Sequence, residues 1–67
     1  KATFISYGFW VYFYSVNPAL VESVMKETVT KLKESGFLIT VAGMDADSGV
    51  KTHTGKMIEI YYTEEIE

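Results

Sequence analysis

The chain has 67 residues, contains no cysteine and carries a formal charge of −3. Its length suits one domain with a small core, and the lack of thiols excludes disulfide staples and thiolate metal sites. All six basic residues are lysines, so the bidentate arginine reader of phosphate and guanine is missing, and no apolar run nears the roughly twenty residues that a spanning helix needs.

The charge is unevenly placed. Six lysines balance Glu22, Glu27, Glu34, Asp45, Asp47 and Glu59, which leaves Glu64, Glu65 and Glu67 as the whole excess. A neutral body with an acidic tail gains little from a polyanionic backbone. The composition is that of a soluble protein, and a cytoplasmic location is expected from the missing cysteines and the absence of a signal-peptide pattern. Lys1 in first place is expected to mark a trimmed or processed terminus.

The first element is the most distinctive. Thr3 to Ser15 reads TFISYGFWVYFYS and contains seven Phe, Trp or Tyr residues, side chains that suit a pleated, partly buried surface. With the two-residue period of a strand, one side carries Ile5, Tyr7, Phe9, Val11 and Phe13. The other carries Phe4, Ser6, Gly8, Trp10, Tyr12 and Tyr14, so neither side is charged. A sheet in a chain this short covers one face with its own helix, and the second aromatic row is therefore expected either to meet a partner or to lie unusually exposed. A bulge at Gly8 would exchange the two sides and move Trp10.

Asn17 and Pro18 then predict a helix start, because the Asn side chain accepts from free first-turn amides and proline lacks only a donor that would be unpaired. Residues 18–35 place Val21, Val24, Met25, Thr28 and Leu32 at spacings of three and four, with Leu20 and Val29 on the shoulders of the stripe. Glu22 to Lys26 and Glu27 to Lys31 are four-residue pairs on the wet side. Gly36 suits the left-handed closing position.

Residues 37–44 predict a second strand, with Phe37, Ile39 and Val41 on one side and Leu38, Thr40, Ala42 and Met44 on the other. A polar connection follows over 45–55, with strand pairing reaching into Val50 to His53. Residues 56–63 predict the third strand, placing Ile58, Ile60 and Tyr62 opposite in direction to Met57, Glu59, Tyr61 and Thr63. Residues 64–67 are expected to fray or to form a short acidic extension.

The expected fold class is α+β: a single small β-α-β-β domain with one helix on a three-stranded mixed sheet. Entry of the third strand between the first two gives the order 1-3-2 of half a ferredoxin-like domain, and a central first strand is the alternative. The helix is expected to cover Ile5, Tyr7, Phe9, Val11, Phe13, Ile39, Val41, Ile58 and Ile60.

The function expected from this pattern is that of a non-catalytic protein-binding module of inhibitor or adaptor type. It would self-associate as a homodimer or homo-oligomer, or hold a different protein, through the aromatic face or a free strand edge. Trp10, Tyr12, Tyr14, Tyr61 and Met57 are the expected anchors. Lys51, His53, Lys56, Glu59, Glu64 and Glu65 are the expected rim and loop contacts. Single-stranded nucleic acid stacking on the same rings is the first alternative, weakened by the few cations near them. A second alternative places hydrolytic or metal-dependent chemistry at the His53 loop with Asp45, Asp47 and Ser48. Against calcium, the twelfth position counted from Asp45 is Lys56 in place of the bidentate glutamate. No cofactor, metal, membrane or catalytic group is expected.

Overall fold

The computed structural model describes residues 2–66. Its elements are β1 (Phe4–Ser15), α1 (Pro18–Glu34), β2 (Leu38–Asp45) and β3 (Thr54–Glu65), with the sheet order β1-β3-β2. β3 lies between the other two and is antiparallel to each. The 1-3-2 order is the half-ferredoxin-like arrangement, and the alternative with β1 central does not occur. The expected mixed character resolves into a sheet whose neighbouring pairs are all antiparallel, because β3 separates the two strands that run the same way.

Local chemistry sets the ends of α1. The Asn17 carboxamide oxygen accepts from the amides of Ala19 at 3.0 Å and Leu20 at 3.3 Å, and Pro18 occupies the first turn. At the other end Gly36 adopts a φ of 94°. Its amide donates to the Lys33 carbonyl at 3.1 Å and the Phe37 amide to the Leu32 carbonyl at 3.0 Å, the paired bonds of a Schellman closure. Phe37 and Leu32, joined by that closure, both pack on the core.

The core is small. Val21, Met25, Ile58 and Ile60 are the buried apolar side chains among the described residues, and Val11, Phe13, Val29, Leu32, Phe37 and Ile39 pack around them in part. Val24 is 43% exposed, and Val29 takes the place expected for it on the stripe. The Thr28 hydroxyl donates to the Val24 carbonyl at 2.8 Å, which satisfies it without a tertiary partner.

Two irregularities in β2 change which residues face the helix. Ile39 pairs with Ile60 but Val41 with Glu59, and Ala42 pairs with Ile58 but Met44 with Met57. Thr40 and Gly43 are the extra residues, and Gly43 has a φ of 85°. Val41, expected on the helix side, is thereby set beside Glu59 on the opposite face, and Ala42 takes its place over Ile58. β1, by contrast, pairs with β3 without a shift from Phe4 to Ser15. Gly8 marks no bulge, and the expected sides of β1 stand.

The molecule is elongated, at 51 × 22 × 12 Å, with a radius of gyration of 14.4 Å against about 11 Å for a compact chain of this length. The cause is a mismatch of lengths. A 12-residue strand extends about 40 Å, whereas the 17-residue helix extends about 25 Å. β2 ends its pairing at Leu38 opposite Tyr61, so Phe4–Tyr7 and Tyr62–Glu65 continue as a two-stranded ribbon. β3 therefore runs further than expected at both ends, and Glu64 and Glu65 are strand residues paired with Ile5 and Phe4. The expected pairing at Val50 to His53 is replaced by a turn closed by the His53 amide on the Val50 carbonyl at 3.0 Å.

Candidate functional site: the aromatic sheet face

The face away from α1 is built by register. Pairing places Tyr14 beside Gly55, Tyr12 beside Met57, Trp10 beside Glu59 and Gly8 beside Tyr61 along the β1–β3 ladder. Side chains of directly paired residues emerge on the same side. β2 adds Leu38 opposite Tyr61 and Met44 opposite Met57. The four expected rings and Met57 therefore share one face, as their two-residue spacing requires.

The rings rest on glycines and on each other. A side chain placed on Gly55 would meet the Tyr14 ring at 2.7 Å as well as the Ala46 carbonyl, and one on Gly8 would meet the Tyr61 ring at 2.7 Å. Each tyrosine lies flat across a bare stretch of its neighbour strand. Tyr12 and Tyr14 stack with centroids 6.1 Å apart and planes within 2°. At the ribbon end, the Ser6 and Thr63 hydroxyls are 3.3 Å apart.

Glu59 ties the three strands together at the middle of this face. Its Oε2 accepts from the Trp10 indole N–H at 2.7 Å, and its Oε1 accepts from the Thr40 hydroxyl at 2.8 Å. The first bond reaches β1 and the second reaches β2. Donation by Trp10, then by Thr40, holds the Glu59 carboxyl below the usual glutamate range, against a smaller opposing effect of desolvation. A carboxylate expected at the rim thus organises the centre of the face. Thr40 lies on this face with Leu38, as simple alternation from Leu38 opposite Tyr61 places it, and Gly43 inside a strand pattern was the available signal for irregular pairing in β2.

The apolar part of this face stands in the open. Trp10 is 64% exposed, Tyr12 46%, Tyr14 47%, Leu38 64% and Met44 53%. A notch of about 280 Å³ is lined by Gly8, Phe9, Trp10, Glu59 and Tyr61. Leu38 and Met44 were not among the expected anchors, and they join through strand order.

The expected rim residues separate. Lys56 pairs with Phe13, on the helix side, where its ammonium meets Asp45 at 2.6 Å. That contact lowers the Asp45 carboxyl and raises the Lys56 ammonium relative to their ordinary ranges. Lys51 and His53 lie on the exposed connection that leads into Thr54, beside the Ser15 end of β1. Glu64 and Glu65 lie at the far end of the ribbon.

The His53 loop is organised by turn chemistry. The Ser48 hydroxyl is 2.8 Å from the Val50 carbonyl and 3.0 Å from the His53 carbonyl. Asp47 accepts from the Gly49 amide at 2.8 Å, and His53 Nδ1 is 3.1 Å from the Thr52 hydroxyl. Asp45 is turned to Lys56. Among the described residues no three His, Asp or Glu side chains gather in a group able to hold a metal ion. No described helix is long and apolar enough to cross a membrane. Compared with protein-family models, curated protein sequences and solved structures, the chain matches none of them.

Proposed function

We propose that this chain is a non-catalytic protein-binding module that engages protein through the helix-free aromatic face and the adjoining edge of β1. The observation that carries the reading is the run of Trp10, Tyr12 and Tyr14 with Leu38 and Met44, all more than two-fifths exposed on a face whose central polar groups, those of Trp10, Thr40 and Glu59, are already paired. Trp and Tyr dominate binding hot spots because they combine large apolar area with few rotatable bonds. Tyr12 and Tyr14 are held against each other, and Trp10 is held by Glu59, so little side-chain entropy remains to be lost on contact. The Glu59 carboxylate in the middle of the row disfavours a phosphate backbone there.

A photo-crosslinking side chain at position 12 tests this reading against one at Lys26, on the exposed side of α1. Protein adducts that form at position 12 and are absent at position 26 support it. Nucleic-acid adducts, equal labelling at the two positions, or no adducts at position 12 would overturn it.

A further inference from the structure

Resting on that reading, we propose that the protein bound is a second copy of this chain, with β1 pairing antiparallel to β1 of the partner subunit about a twofold axis at Phe9. The two three-stranded sheets then become one sheet of six strands.

The direction of the backbone groups supports this. The Ile66 amide donates to the Thr3 carbonyl at 2.8 Å, in the same register as the β1–β3 ladder. In an antiparallel ladder, bonded and non-bonded pairs alternate, so odd-numbered residues of β1 bond to β3. The even-numbered residues Phe4, Ser6, Gly8, Trp10, Tyr12 and Tyr14 turn their N–H and C=O groups to the outer edge. Strand edges are commonly blunted by lysine, proline, a bulge or a short strand. β1 has none of these over twelve residues, whereas the other edge, β2, is broken by two bulges.

Self-pairing fixes the register. Bonded pairs must join even-numbered residues, and only the axis at Phe9 uses all six. It sets Gly8 against Trp10 of the partner subunit, so the indole comes beside the Tyr61 ring that lies across Gly8. On the helix side it sets Ile5 and Tyr7 against Phe13 and Val11 of the partner subunit. Ile5, Tyr7 and Phe9, expected under the helix, are 39%, 43% and 50% exposed and stand outside the packed core, while Val11 and Phe13 pack on it. Each uncovered half-strand thus meets the covered half of the other.

Charge agrees with this occupant. No charged residue occurs from Phe4 to Ser15, so self-pairing brings no like charges together. Rings bury about 150–250 Å² each when fully covered. Edge pairing covers the flanks of these rings and not their outward faces, so it buries less than the roughly 1,200 Å² of a standard interface and draws on the main-chain ladder for its strength.

Sedimentation equilibrium of the wild type, with disulfide trapping in single-cysteine variants, tests the proposal. The chain has no cysteine of its own. A mass twice 7.6 kDa is expected, returning to the monomer in Tyr12→Lys with an unchanged circular dichroism spectrum. Phe9→Cys, on the axis, is expected to form a disulfide dimer in air. Tyr7→Cys is expected to form one only when mixed with Val11→Cys. A wild type that stays monomeric to millimolar concentration overturns self-pairing; with adducts to other proteins at position 12 the protein-binding reading stands, and with no adducts both fall. A dimer trapped equally through Tyr7→Cys alone overturns the register.

Discussion

At the scale of single residues, Glu59 decides the order of the aromatic face. The carboxylate accepts from Trp10 on one side and Thr40 on the other, and both donors favour the ionised form. A carboxyl lowered in the folded state contributes stability at pH above its unfolded value, and that contribution is lost as pH falls through the folded value. The group is exposed to solvent, so the effect on global stability is expected to be small, whereas the effect on the neighbouring indole is local and direct. Trp10 is the sole tryptophan, which makes its fluorescence a reporter of this contact. Its emission is expected to titrate with a midpoint below the usual glutamate range, and Glu59→Gln is expected to abolish that transition. A transition that persists in Glu59→Gln would assign it to another carboxylate.

At the scale of elements, the capping of α1 shows how local chemistry becomes structure. Asn17 satisfies two first-turn amides, and Asn17→Ala is expected to cost about 1 kcal/mol, read as a lower urea midpoint with an unchanged slope. An unaltered midpoint would mean that packing against the sheet alone sets the helix start. Asn17, Pro18 and Gly36 made both ends of α1 legible from sequence because each acts on atoms within a few residues. The two sides of β1 were legible for the same reason, since alternation needs only the pleat. Val41 was not, because one inserted residue at Thr40 turns the next side chains of β2 to the other face, and hydrophobicity does not record an insertion. Nor was the role of Glu59, whose partner Trp10 is 49 positions away and is reached only once strand order and register are set. Glu64 and Glu65 read as a frayed tail by charge, and pairing with Ile5 and Phe4 makes them strand.

At the scale of the whole molecule, an extended shape is combined with a core of four buried apolar side chains among the described residues. A domain of this length has only about 3–10 kcal/mol of stability at typical values per residue, and its long strand leaves half of one side beyond the helix. Pairing of β1 with a second copy would join folding to association, and stability would then depend on concentration. For a dimer, tenfold more protein adds about 0.7 kcal/mol per chain, which corresponds to roughly 3–5 °C in a domain this small. The thermal midpoint of the wild type is therefore expected to rise by about that amount per decade of concentration. In Tyr12→Lys, which puts on β1 the kind of lysine that blunts natural strand edges, the midpoint is expected to be flat. Because β1 supplies both the edge and the main aromatic row, a slope in the wild type that Tyr12→Lys removes would tie the folding of the strand to its binding. Equal slopes in the two proteins would place the association on another surface.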